Sequence, residues 1–383
     1  MNRRWIRSVG VLAALTLVLA ACGGDEVTDG DGEQAEGRGP DAAAALQELT
    51  TEVLSTGPHG ETATDPAEVS LTEEELAEIR GMNATAAIVM HYSGDDWSRA
   101  QIDGLRAQFA EMGIEVVATT DADFVAETQV SDIETVTARN PDIIVSIPVD
   151  AAAAEAAYQA AADEGVVIVF ADNAPPNMVA GQDYVATVSA DNSGNGVAAA
   201  HLMAEALNKR GEVGVVYHEA DFFVTQQRYD AFVATITENY PDIEIVSEQG
   251  IPGPDFAVQA QEKADAMLTQ FPDLDGIWAV WDVPAEGVLA AAGTAGWDGV
   301  VTTIDLGLNV AIDIASGGVT YGLGAQRPYD QGVNEAILAG YGLLDKEAPP
   351  YVALNALPVT SDNVLDAWTE VYHVDPPPEL AEA

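Results

Sequence analysis

From Ala84 onward the chain alternates between two textures at a regular interval. Short aliphatic runs ("AAIVMHY", "IEVVATT", "DIIVSIP", "VVIVFAD") are separated by helical stretches. In "SRAQIDGLRAQFAEMG" the apolar residues Ile102, Leu105 and Phe109 recur at helical spacing before a stop at Gly113. "ETQVSDIETVTARN" and "DAAAAEAAYQAAADEG" supply the next helices. Strands that are apolar throughout are covered on both faces, and a helix between consecutive strands makes them parallel. The pattern leaves one architecture, the α/β sheet of βαβ units.

A second series begins near Asp191. Helices "SGNGVAAAHLMAEALNKRG", "TQQRYDAFVATITENYP", "FAVQAQEKADAMLTQFP" and "VPAEGVLAAAGTAG" alternate with strands "EVGVVYH", "IEIVSEQ", "GIWAVWD" and "VVTTIDL". The fold class expected is therefore α/β, with two doubly wound parallel-sheet lobes joined by three crossovers and a ligand cleft between them. Crossovers are placed near Ala190, Gln326 and Pro349. The first lobe then takes 84–190 plus 326–349, the second 191–325 plus 350–375, and 376–383 is a tail. Ligands of open α/β sheets sit beyond the carboxyl ends of the strands, and two facing lobes can close by a hinge.

The N-terminus has a different character. Arg3, Arg4 and Arg7 precede an apolar stretch from Val9 to Ala21, too short for a comfortable membrane span but laid out as a secretory signal peptide over 1–21. Cys22, the one cysteine of 383 residues, follows at once. A single thiol cannot staple the fold or share a metal with a second cysteine. The tetrapeptide Leu19-Ala20-Ala21-Cys22 resembles the lipobox of bacterial lipoproteins, which implies lipidation of Cys22 and an extracytoplasmic protein held to the outer face of the cell membrane. Residues 22–83 read as an acidic linker with short helices. Within it, 23–41 is a flexible tether, and Ser70-Leu-Thr-Glu73 is a capping box opening a helix through about Arg80.

Removing 1–21 takes away three arginines and no acid, leaving 11 basic residues against 63 acidic ones. Such a surface repels nucleic acid and anionic lipid headgroups, so contact with the membrane is expected through the anchor only. The same acidity suits a solvated coat in a salty environment.

Residues able to hold a polyhydroxylated ligand lie just after the strands. Asp95, Asp96 and Trp97 follow the first, and Asp172 and Asn173 the fourth. The second lobe offers Phe222, Phe223, Arg228, Phe256, Trp281, Asp282 and Asp305, and Gln326 stands at the return crossover. Carboxylates, amides and a guanidinium make paired, charge-assisted hydrogen bonds to neighbouring hydroxyls, while aromatic rings cover C–H faces. Trp278, alternating with Trp281 on its strand, reads as core. Catalytic patterns are missing: there is no G-x-S-x-G elbow, and the five histidines have no zinc spacing. "GNGVAA" at Gly194–Ala199 fits G-x-G-x-x-A, but a crossover followed by a helix start explains it as well. No cofactor and no metal are expected, and the chain is not read as an enzyme. The rival in that class is a secreted NAD-dependent oxidoreductase or hydrolase.

Five stretches, in order, are similar to the type I periplasmic binding protein family, in its ribose- and galactose-binding branch: "DDWSRAQIDGLRAQFAEMGIEVV", "SADNSGNG", "QQRYDAF", "PDLDGIWAVWDVPAEGVLAAAGTAG" and "GLGAQRPYDQGVNEAI". The resemblance spans roughly 84–375. It implies a monomeric solute-binding lipoprotein that captures a sugar or polyol and delivers it to the permease and ATPase subunits of an ABC importer. It points to Asp95, Trp97, Asp172, Arg228, Phe256, Trp281, Asp305 and Gln326 as contacts. Trp281 stands where the family usually has asparagine, and Ile147 where ribose binders are often polar. The same fold binding a nucleoside or amino acid, or serving a sensor, is the alternative.

Overall fold

The computed structural model describes residues 37–383. The signal peptide, Cys22 and the tether as far as Glu36 lie outside the described residues. The first lobe contains β1 (Thr85–Met90), α3 (Asp96–Met112), β2 (Glu115–Asp121), α4 (Ala126–Thr137), β3 (Ile143–Ser146), α5 (Ala151–Asp163), β4 (Val167–Ala171) and β5 (Thr187–Ala190). It is preceded by α1 (Ala42–Leu49) and α2 (Glu73–Met82). The second lobe runs through α6 (Asn192–Ala206), β6 (Gly211–His218), α7 (Phe223–Asn239), β7 (Ile243–Ile251), α8 (Phe256–Gln270), β8 (Gly276–Ala279), α9 (Asp282–Ala295), β9 (Val300–Ile304), α10 (Leu308–Ala315) and β10 (Thr320–Ala325). The remaining elements are α11 (Pro328–Leu343), β11 (Tyr351–Leu354), β12 (Leu357–Thr360), α12 (Val364–Tyr372) and α13 (Pro378–Ala381).

Strand order is β11-β5-β4-β3-β1-β2 in one six-stranded sheet and β12-β10-β9-β8-β6-β7 in the other. All pairs are parallel except β10 with β12, which is antiparallel. Burial on both faces follows from the strands themselves. In β1, Ala86, Ile88 and Met90 face the core shared with α3 and α11, while Ala87 and Val89 face the core shared with α4 and α5. In the second lobe Trp278 is fully buried and stacks on Phe232 at 4.6 Å, the core position its alternation predicts.

Crossings of the hinge fall at Asp191, at Gln326–Arg327 and at Asn355–Ala356. The third differs from the expectation of Pro349. Residues 351–354 pair with β5 in the first lobe, and only from Leu357 does the chain join the second lobe, beside β10. The end of the chain is not a free tail either, because Leu380 of α13 is buried in the second lobe's core. The capping box of α2 sits two residues later than read. Thr72 Oγ1 accepts from Glu75 N at 3.2 Å, and Glu75 Oε2 accepts from Thr72 N at 2.7 Å.

Residues 37–64 form a strap along the hinge. Gly37 and Arg38, expected in the tether, are docked on the second lobe, where Arg38 makes a two-pronged contact with Asp242 at 2.7 and 3.0 Å. Helix α1 rests on α6 through Leu49, Ala198 and Ala356. The strap then reaches the crossovers, where Asn355 Nδ2 donates to Thr50 O at 2.9 Å, and joins the first lobe as Thr64 N donates to Tyr351 O. Asp191 fastens it. This buried carboxylate accepts from Leu54 N and Ser55 N of the strap and from Gly194 N of α6, at 2.8–2.9 Å. Asp191→Ala strands three N–H groups, two of them buried, and should cost about 2–4 kcal/mol of stability. Urea denaturation with an unchanged midpoint would contradict that role.

Candidate ligand-binding cleft

The two sheets point their carboxyl ends at each other, and a cavity of about 60 Å³ lies between them. First-lobe walls come from His91 after β1, Asp95 and Trp97 at the start of α3, Phe124 after β2 and Asp172 after β4. The second lobe supplies His218 at the end of β6, Phe222, Val224, Thr225 and Arg228 around the start of α7, Trp281 and Asp282 after β8, and Asp305 after β9. Gln326 enters from the second crossover.

Phe223, the first residue of α7, does not line the cavity, and three further expected residues lie elsewhere. Asp96 turns away from the cavity, pairs with Arg99 at 2.5 Å and accepts from Leu308 N of the opposite lobe at 3.1 Å. It is a bridge between the lobes. Asn173 is buried below the loop, its Nδ2 donating to Pro148 O at 3.2 Å. Phe256 stands behind the wall, edge-on to Trp281 at 4.8 Å and to Phe124 at 5.3 Å. The sequence reading missed His91, Phe124, His218, Val224 and Thr225. A signal did exist for the histidines: "VMHY" and "VVYH" close the first strand of each lobe in corresponding places.

One chain of hydrogen bonds ties the two halves together. Asp305 Oδ2 accepts from Arg228 Nη1 at 3.2 Å, and Arg228 Nε donates to Asn192 Oδ1 at 2.8 Å. Asn192 Nδ2 donates to Ser189 Oγ at 3.1 Å, and Ser189 Oγ donates to Asp172 Oδ1 at 2.8 Å. The chain passes through the first crossover, so the guanidinium is fixed against both lobes. Asp172 and Asp305 occupy corresponding places after a strand and share a left-handed backbone, with φ of 59° and 70°. Such conformations cost about 1–3 kcal/mol each and persist where the surroundings over-determine them.

Electrostatics are set by burial. The Asp305 carboxyl is pushed up to about 6 by desolvation, with Arg228 opposing. Asp282 is held well above the carboxylate range by burial and then by Asp305's charge, and burial also raises Asp95 and Asp172. Desolvation lowers His91 and His218 to about 4, so both are neutral at pH 7 and each offers one donor and one acceptor.

Several cavity atoms are buried without a hydrogen bond of full geometry: Asp305 Oδ1 and the Gln326 amide, which lie beside each other, together with His91 Nδ1 and Trp97 Nε1. A protein leaves few such groups unsatisfied. Here donors and acceptors are mixed within one space walled by Trp97, Phe124, Phe222 and Trp281. A hydroxyl group, which donates and accepts at once, matches that set.

Two hinged α/β lobes closing over a polar cavity at their strand ends define a solute-binding protein. Residues 86–348 match the model of the periplasmic binding protein domain, and the chain belongs to that family, in its type I form. Among solved structures it is similar to a solute-binding protein of an ABC transporter from Agrobacterium vitis bound with alpha-D-tagatopyranose. The two share 23% identity and a TM-score of 0.69, over 76% of this chain and 99% of that one. A periplasmic solute-binding protein from Actinobacillus succinogenes with bound D-allose shares 24% identity, with a TM-score of 0.67 over 74% and 99%. An ABC sugar transporter subunit from Rhodobacter sphaeroides shares 25% identity, with a TM-score of 0.65 over 73% and 99%. Among curated proteins, none matches this chain.

Proposed function

We propose that the protein captures one neutral sugar or polyol between its lobes, outside the cytoplasm, and presents it to the permease and ATPase subunits of an ABC importer. The observation that carries this reading is the set of unpartnered donors and acceptors facing one aromatic-walled cavity. Similar proteins whose structures hold D-allose, tagatose, allitol and myo-inositol support the same ligand class. Binding of a solute that touches both lobes favours the closed state, and an importer can read that state. Lipidation of Cys22 would tether a monomer to the outer face of the membrane. No catalytic role is assigned, in keeping with the solute-binding family to which the chain belongs.

Charge narrows the class. Asp95, Asp172, Asp282 and Asp305 line the cavity with Arg228 as the one cation among its lining residues, and the guanidinium already serves Asp305 and Asn192. That balance disfavours a free amino acid, whose carboxylate would need the same arginine. A thermal-shift screen should show stabilisation by one or more of D-allose, D-tagatose, D-arabinose, allitol and myo-inositol. Galacturonate should bind at least about 100-fold more weakly than the neutral hit, since like charge in a desolvated site costs several kcal/mol. A screen in which only acidic sugars or amino acids stabilise the protein would overturn the reading.

A further inference from the structure

Helices α3 and α11 meet backbone to backbone because each presents a glycine at the contact. A Cβ at Gly104 would fall on the Tyr329 carbonyl, and one at Gly332 on the Gln101 carbonyl. Around them the interface is apolar, with Leu105, Phe109, Ala336 and Ala339 in one core. Into it the sequence sets three fully buried polar side chains, Gln101, Gln331 and Glu335. Among the described residues no cation pairs with Glu335, and an unpaired buried carboxylate is among the most costly groups a core can hold.

Counting donors and acceptors resolves this. Gln101 Nε2 donates to Glu335 Oε1 at 2.7 Å. Gln331 Nε2 donates to Asp172 Oδ1 at 3.1 Å and to Val188 O at 3.3 Å. Left over and buried are Glu335 Oε2, Gln331 Oε1 and Gln101 Oε1, all three acceptors if Glu335 is ionised. A proton on Glu335 Oε2 turns one of them into a donor. Gln331 lies one helical turn earlier on the same face of α11 and its side chain interacts with the Glu335 carboxyl, so its Oε1 is the acceptor this arrangement offers.

We propose that Glu335 is a positioning residue of the ligand site: as the neutral acid it donates to Gln331 Oε1 and thereby fixes the Gln331 amide on Asp172. Ser189 and Gln331 then both donate to Oδ1 of Asp172, which leaves Oδ2 for the solute. Burial, with the charge of Asp172 beside it, pushes the Glu335 carboxyl well above the usual range, in accord with this protonation. The titratable group facing Glu335 is Asp172. From α3 and α11 it meets the neutral amides of Gln101 and Gln331. The role rests on Asp172 being a solute contact, as the proposed function has it.

The test has two arms. Infrared difference spectra of ligand-free wild type against Glu335→Gln, at pH 7, should show loss of a protonated carboxylic-acid band. Loss of carboxylate bands instead would overturn the proposal whatever the binding result. In the second arm D-allose, D-tagatose and allitol are titrated calorimetrically into each variant. Glu335→Gln keeps the same donor and acceptor and should bind within about threefold of wild type, whereas Glu335→Met should bind about tenfold more weakly or worse. Gln331→Met should match the weaker variant, and it stands in should Glu335→Met not fold. Wild-type affinity in both methionine variants would overturn the positioning role and leave the proposed function intact. Wild type binding none of the three solutes would instead remove the functional reading beneath it.

Discussion

Replacing Arg228 by methionine should lower solute affinity by about 3–5 kcal/mol, the cost of breaking a buried charge pair and leaving its partner uncompensated. The size of the effect follows from where the guanidinium sits. It holds Asp305 at 3.2 Å and Asn192 at 2.8 Å and also reaches Val280 O at 3.4 Å, so its loss frees one carboxylate of the second lobe and cuts the bond chain to the first. Lysine is no remedy, because one ammonium cannot reproduce the planar fork that serves both partners. Calorimetry on Arg228→Met and Arg228→Lys checks this. Affinities within a few-fold of wild type would mean that the guanidinium organises the fold without organising the site.

The second large effect concerns the two tryptophans on opposite walls. Trp97→Ala and Trp281→Ala should each cost about 2–4 kcal/mol of affinity, the range of a well-packed aromatic anchor. Phenylalanine should separate their roles. Trp97 Nε1 is buried without a partner, so Trp97→Phe loses a donor to the solute and should bind about tenfold more weakly. Trp281 acts by its ring, braced by Phe256 at 4.8 Å and His218 at 5.5 Å, and Trp281→Phe should stay near wild type. Tryptophan fluorescence should change on ligand addition in wild type. Equal losses in the two phenylalanine variants would contradict the assignment.

The two-lobed fold is legible in the sequence because apolar strands alternate with helices from β1 to β4 and again from α6 to β9, whereas β5 follows β4 with no helix between and carries no such signal. Legibility fails where local pattern carries no address. "YVAL" and "LPVT" are two short strands around Asn355–Ala356, and nothing in them says that one belongs to each sheet. The strap is equally silent. Its segment after α1 is short of apolar residues, and its order comes from backbone N–H groups bonded to Asp191 more than 130 residues away.

In the cleft, the sequence identifies loops better than side chains. Asp95 lines the cavity and caps α3, while Asp96, one residue on, is swung out to Leu308 by the turn of the helix. The same one-residue ambiguity separates Asp172 from Asn173. Phe256 opens a helix near the site, yet Trp281 stands in front of it. Phe124 escaped notice because it lies in a loop where Asp123 and Phe124 take φ of 50° and 56° without the glycine that normally marks such a bend. His91 and His218 lack the spacing of metal ligands, and burial makes them neutral hydrogen-bonding groups, a role that spacing alone does not signal.

The central claim is that one neutral polyhydroxylated solute satisfies polar atoms of both lobes at once. A crystal structure of the protein with the sugar or polyol that stabilises it most tests this directly. Hydroxyl groups of the solute should lie within hydrogen-bonding distance of Asp305 Oδ1, Gln326 and Trp97 Nε1, with Trp281 against a C–H face. A solute bound outside the cleft, or one whose hydroxyls leave those atoms to water, would contradict it.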